Sequence, residues 1–287
     1  MNRIATYPPF SGGRAQRRAA AVALGAGALA LITGCSAASS SGSSASSAGS
    51  TSPHTALTLA AAQSQKVNSM AATFSSQAAG ETTTGSLQLQ LKPSLLAGEN
   101  LKITTDGKTT PMDEVITDKS IYVKTGLLSS SDSAGKPWVE IDYADLKGGL
   151  GSALQSLLQN AQSGNPANQT QLLAASKSVH EVGTQVVNGV QTTHYAGTLM
   201  PSAAISALSP SLRKTFDSLL QSIKGPISFN IWIDGQHVTR KVTEVEHVAG
   251  ETVTTTMNVT SVNQSVQVSA PPASQVDKLA ASSLNGM

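Results

Sequence analysis

The chain has 287 residues, of which 39% are hydrophobic, 13% charged and only 3% aromatic. Charge is about half the usual quarter of a soluble domain. Arg3, Arg14, Arg17 and Arg18 set aside, 15 basic face 17 acidic side chains, which excludes the basic patch of a nucleic-acid binder. A lone cysteine, Cys35, excludes an internal disulfide framework and a cysteine-built zinc site.

Residues 1–18 carry four arginines and no acid, and residues 19–32 are a run of Ala, Val, Leu, Ile and Gly. A charged stretch followed by a short apolar one predicts an export signal over residues 1–34. The run is too short for a spanning helix, which needs about 20 apolar residues. It ends in Leu31-Ile32-Thr33-Gly34-Cys35, which resembles the bacterial lipobox. The resemblance implies cleavage after Gly34 and acylation of Cys35, so that the chain is anchored by lipid at the extracytoplasmic face of the cell membrane. Two acyl chains hold a protein stably where one holds it marginally.

Residues 35–56 are the lipidated cysteine and a Ser-rich tether. The tract after Cys35 has almost no large apolar side chain and, His54 apart, nothing that titrates near neutrality. On Gly/Ser scaling its 21 or so residues span roughly 25 Å. Residues 57–287 are predicted to be one domain.

Leu59, Ala62, Lys66 and Val67 fit a short opening helix. Leu87, Leu89 and Leu91 alternate with polar residues, the period-two mark of a half-buried strand. Residues 100–105 form a second candidate strand. Val115-Ile116 and Ile121-Tyr122-Val123 flank a tight turn at Asp118-Lys119, and Trp138-Val139-Glu140-Ile141 follows a Gly-Lys-Pro break. Leu146, Leu150, Leu154, Leu157 and Leu158 recur at helical spacing, and Pro166 restarts a second helical stretch. Strands resume at residues 181–187 and 190–198 around Asn188-Gly189. Pro201 opens another helical region, and Ser209-Pro210 starts a helix lined by Leu212, Phe216, Leu219 and Ile223. Phe229, Ile231 and Ile233 then alternate with Asn230, Trp232 and Asp234 up to Asp234-Gly235, a hairpin signal. Residues 238–248 and 252–268 continue the strand pattern, and Pro271-Pro272 ends it. Residues 274–287 read as a short helix or a tail. Strands joined by tight turns, with helices bunched between them, predict an α+β fold with a large antiparallel sheet.

No catalytic constellation stands out. His180, His194, His237 and His247 are scattered and none makes a helical metal pair; His237 and His247 share at most a hairpin. Ser211-Leu212-Arg213-Lys214 and Lys124-Thr125-Gly126 match two short acyl-serine transferase patterns in the wrong order. Glu244 and Glu246 share one strand face and read as a charged, solvent-facing edge. The chain is therefore read as a non-enzyme with no metal and no cofactor.

The order of segments resembles the actinobacterial LppX/LprA/LprF/LprG-like lipoprotein family, whose fold is related to LolA and LolB. The residues that carry it are Cys35 with its Ser-rich tract, Lys136-Pro137-Trp138-Val139-Glu140-Ile141 before a Leu-rich helix, Val187-Asn188-Gly189-Val190-Gln191-Thr192-Thr193-His194-Tyr195, and Ile231-Trp232-Ile233-Asp234. It spans about residues 57–272 and departs by extra residues near 129–135 and 164–169. The resemblance implies a curved antiparallel sheet, a half-barrel, covered on its concave face by a few helices. It implies an apolar cavity for lipids or acylated glycolipids, and transfer without a covalent step. The expected cavity wall is Leu87, Leu89, Leu91, Ile121, Val123, Phe229, Ile231, Ile233, Met257 and Val259. The other expectation is an envelope lipoprotein that contacts a membrane protein or sensor without carrying lipid.

Overall fold

A computed structural model of the chain describes residues 52–64, 66–126, 135–143, 176, 178–207, 223, 225–248 and 250–278. The predicted signal, Cys35, most of the tether and the helices expected at Leu146–Leu158 and from Ser209 onward lie outside the described residues.

Helix α1 runs Pro53–Ser64. Ser52 caps it: its Oγ accepts the Thr55 N–H at 3.2 Å and lies 2.7 Å from Thr55 Oγ1. Pro53 takes the first helical position, where its missing N–H costs nothing. The helix thus begins inside the stretch expected to be tether. Its buried residues are Ala56, Leu57, Ala60 and Ala61, whereas Leu59 is exposed and Lys66 and Val67 lie beyond its end. The inward stripe is Leu57 with three alanines rather than the expected Leu59 and Ala62, because small alanines carry too little contrast to mark the buried face.

Twelve strands of the described chain form one sheet. A first meander comprises β1 (Ser69–Ala78), β2 (Glu81–Gln90), β3 (Leu96–Thr105), β4 (Lys108–Thr117), β5 (Ser120–Thr125) and β6 (Trp138–Asp142). A second comprises β7 (His180–Val187), β8 (Val190–Leu199), β9 (Ile227–Asp234), β10 (Thr239–Val248) and β11 (Glu251–Val262), with helix α2 (Pro201–Ala207) between β8 and β9. β1 and β11 pair, fusing the two meanders. A last strand, β12 (Val276–Lys278), adds to β6, giving the order β12-β6-β5-β4-β3-β2-β1-β11-β10-β9-β8-β7. Every pairing is antiparallel except β12 with β6, which is parallel. The sheet is open, with β12 and β7 at its ends.

Turn chemistry holds the register. Asp106-Gly107 and Asn188-Gly189 both take positive φ at two successive positions, the two-residue hairpin turn that suits twisted strands. Asp234-Gly235 does form a hairpin, but of another kind. The Asp234 carboxylate accepts the N–H groups of Gln236 at 2.8 Å and Val238 at 2.9 Å, and the positive φ falls on His237. Arg240 closes the turn, with Nε 2.8 Å and a terminal guanidinium nitrogen 2.7 Å from the other carboxylate oxygen.

Three expectations need correcting at the chain's end. β11 stops at Val262, not near 268. Pro271-Pro272 does not end the sheet: a single 3₁₀ turn over Ala273–Gln275 opens the stretch expected as a short helix or tail, and β12 follows it. Ile223, expected on a helix, forms an isolated bridge with Val248.

Candidate functional site

The alternation of each strand and the register between strands divide the sheet into two faces. Following cross-strand partners, Val123, Glu114, Glu99, Leu87, Ala72 and Val259 make one row across β5, β4, β3, β2, β1 and β11. The next row is Thr125, Met112, Leu101, Gly85, Phe74, Met257, Val242, Ile231 and Tyr195, reaching β8. Ile121, Ile116, Ala97, Leu89 and Met70 make a third. Paired residues in a ladder share a face, so these rows all belong to one side of the sheet. We call it the inner face.

All ten residues expected to wall a cavity lie on this side. Leu87, Leu89 and Leu91 pack with Leu95 and Ala97. Met257 and Val259 pack with Ala72. Phe229, Ile231 and Ile233 pack with Tyr195 and with Ala56, Leu57 and Ala60 of α1. Ile121 and Val123 sit toward the β5 end, the first buried and the second half-buried. From β5 to β8 this surface crosses nine strands, about 38 Å at the usual strand spacing. Helix α1 packs against its β8–β9 portion. Sequence reading missed the contribution of β1, whose Met70, Ala72 and Phe74 join the two apolar halves; a strand of Ala, Thr and Ser has little hydrophobic contrast to reveal its period.

Two pairs of carboxylates also stand on this face. Glu99 and Glu114 are direct partners on β3 and β4. Burial first, and the neighbouring Glu99 second, push Glu114 up to about 7; burial alone raises Glu99. On β10, Glu244 lies opposite Phe229 and Thr255, and Glu246 opposite Val253. Burial first and then Glu246 push Glu244 up to about 7, and burial raises Glu246. These two were expected on a wet edge. β10 is instead interior to the sheet, between β9 and β11, and its inward positions are Val242, Glu244, Glu246 and Val248. Valines occur on both faces of this strand, so alternation alone misassigned them.

The opposite face is polar and specific. Trp232 stacks on His194 with ring centroids 4.3 Å apart, under the Lys241 ammonium at 4.5 Å, and its indole N–H donates to Gln185 Oε1 at 2.8 Å. Trp138 lies 5.8 Å beneath the Lys124 ammonium. Each tryptophan thus lies against a cation, and Trp232 alternates away from the inner face. His237 lies in the turn before β10 and His247 near the strand's far end, so they cannot share a metal ion. Among the described residues no three metal-ligating side chains converge. Lys124-Thr125-Gly126 ends β5, and Ser211 to Lys214 lies outside the described residues. Among the described residues, no helix is long and apolar enough to cross a membrane.

No protein-family model matches the chain. It is 33% identical over 81 residues to an uncharacterized 31.2 kDa protein in the rplA-rplJ intergenic region of Streptomyces griseus, covering 27% of this chain and 26% of that one. It is 28% identical over 101 residues to a protein of Streptomyces coelicolor provisionally named a lipoprotein, covering 34% of each. The chain thus matches about a third or less of the length of these curated relatives. Among solved structures, Mycobacterium tuberculosis lipoprotein LppX aligns over 76% of this chain and 98% of its own, at 17% identity and a TM-score of 0.48. LprF from Mycobacterium bovis aligns over 77% and 97%, at 13% identity and a TM-score of 0.46. LppX- and LprF-like lipoproteins, the family that the motif order resembles, are thus among the proteins to which this chain is similar.

Proposed function

We propose that this chain is an extracytoplasmic lipoprotein, held to the cell membrane through acylated Cys35, that binds acylated lipids against the inner face and passes them on without a covalent step. One observation carries the reading: ten apolar side chains, nine on β2, β5, β9 and β11 and Leu91 just past β2, joined through β1, share a single face that runs across nine strands. Such a surface offers acyl chains an aliphatic environment with few polar groups. Exchange between that surface and a bilayer is an exchange between two apolar media, so no bond need be made or broken. The reading includes a concave, helix-covered sheet enclosing the bound tails.

The test is direct. The chain is purified from a membrane-containing host, extracted with organic solvent and examined by mass spectrometry. Acylated lipid should co-purify in near-stoichiometric amount. Lipid-free protein, together with failure to take up lipid from vesicles, would sink the proposal.

A second reading has an observation of its own. β7 is an end strand whose Val182 and Val186 are 54% and 59% exposed. An exposed edge strand is a template for pairing with another chain. A lipid-free interior in the extraction experiment would leave this reading, an envelope module contacting a membrane protein or sensor, in first place.

A further inference from the structure

The inner face is not apolar along its whole length. Toward the sheet end that carries the β1–β2, β3–β4 and β10–β11 turns, its side chains become polar. One row there is Thr110, Ile103, Thr83, Ser76, Thr255 and Glu244, crossing β4, β3, β2, β1, β11 and β10. Beyond it, Thr105 lies opposite Glu81, and Val253 opposite Glu246. Ser76 and Thr83 are each only 3% exposed. Ser76 Oγ and Thr255 Oγ1 satisfy one another at 3.2 Å, and Thr105 Oγ1 donates to Glu81 Oε2 at 3.4 Å. Two buried atoms in this patch have no partner, Thr83 Oγ1 and Glu81 Oε1. Native folds leave few polar atoms buried and unpaired, and a ligand group is one thing that pairs them. Among the described residues no cation forms an ion pair with Glu81, Glu244 or Glu246.

We propose that this patch is a head-group subsite for a hydrogen-bond-donating head without negative charge, a hydroxyl or an ammonium, with Thr83 and Glu81 as its direct partners. The inference rests on the lipid-binding reading and adds to it a choice among lipids. The acyl tails lie on the apolar rows through Phe74 and Met257, one step along the strands from Ser76 and Thr255. From Thr83 to Glu244 the patch crosses three strand spacings, about 14 Å, which is the scale of a small head group. Carboxylates and hydroxyls accept hydrogen bonds, so a donor satisfies Thr83 and Glu81 together. An anionic head offers only acceptors to the Glu81 carboxylate, which itself only accepts, so it leaves Glu81 Oε1 unpaired.

The full chain carrying Cys35→Ser is loaded with the apolar dye N-phenyl-1-naphthylamine. The dye is displaced, below micelle-forming concentrations, by four twelve-carbon probes: methyl dodecanoate, dodecyl glucoside, dodecylammonium and dodecyl phosphate. Dodecyl glucoside, dodecylammonium or both should act at concentrations at least fivefold lower than methyl dodecanoate, and dodecyl phosphate should show no such gain. Thr83→Val and Glu81→Gln should each erase most of that preference while leaving the methyl dodecanoate midpoint unchanged, and Thr83→Ser should keep it. Equal midpoints for all four heads would overturn the subsite while leaving lipid binding intact. So would a shift by Thr83→Val that is the same for every probe, because that is a packing effect. If no probe displaces the dye, lipid binding fails and the subsite fails with it.

Discussion

Glu114 sits where few carboxylates do, on the apolar side of a central strand with Glu99 directly across the ladder. Burial makes the charged form costly by removing it from water, and a like charge opposite in the sheet adds repulsion. Both effects act in one direction, lifting the carboxyl from an ordinary 4.5 to about 7. The linkage follows from the sign: a carboxyl that binds its proton more tightly when folded stabilises the fold while protonated. That stability is fully present below about 4.5 and is lost as pH rises through 7. Glu99, Glu244 and Glu246 are raised too and push the same way. Thermal melts should therefore show a higher midpoint at pH 5 than at pH 8. Glu114→Gln should recover about 1–3 kcal/mol at pH 8 and change little at pH 4. A melting profile flat from pH 4 to 8 would contradict the burial of these groups. None of this was legible in the sequence. Asp113 and Glu114 are adjacent acids, and only the register shows that Asp113 turns outward to Lys124 at 3.2 Å while Glu114 turns in.

At the scale of elements, the sequence was readable where side chains are large and alternate. Leu87, Leu89 and Leu91 announce β2, and Phe229, Ile231 and Ile233 announce β9; the structure places all six inward, five of them on named strands and Leu91 just past one. β1 went unread because Ser, Ala and Thr carry little contrast, and β12 because three residues shortly after two prolines make no pattern. Turn residues located hairpins better than they typed them: Asn188-Gly189 behaves as expected, while Asp234 organises its loop through its carboxylate. Glycines hide a further layer. Gly197 of β8 lies opposite Phe229, and a Cβ there would meet Phe229 Cζ at 2.6 Å and Val179 Cγ2 at 3.0 Å. The ring of Phe229 belongs to the cluster on which α1 seats Leu57. Gly197→Val should thus displace the ring and cost about 1–3 kcal/mol in urea unfolding. Gly126, where an added Cβ would meet nothing within 4 Å, is the control. Gly126→Ala should stay within about 0.5 kcal/mol. Equal effects at the two glycines would mean that the Phe229 contact contributes nothing.

At the scale of the whole molecule, the proposed function needs both a face for lipid and a hold on the membrane, and these come from separate parts of the chain. The face is a property of long-range pairing: β1 meets β11 across some 180 residues of sequence, and without that pairing the two apolar halves would be two surfaces. The hold is local. It lies in Leu31-Ile32-Thr33-Gly34-Cys35 and needs no folded structure to be read. A diacylated cysteine anchors stably because each buried methylene contributes about 0.8 kcal/mol over two chains. The expected outcome in a bacterial host fed an alkyne analogue of palmitate is a labelled wild-type chain whose mature form begins at Cys35 and enters the detergent phase of a Triton X-114 separation. Cys35→Ser should carry no label and accumulate at the precursor mass, still bearing residues 1–34, because the cleavage and the acylation both require the thiol. An unlabelled wild-type chain that keeps its first 34 residues would show that the apolar run itself is the anchor. The inner face would then be presented to the membrane by a different means, with the lipid-binding proposal left to stand on the extraction experiment alone.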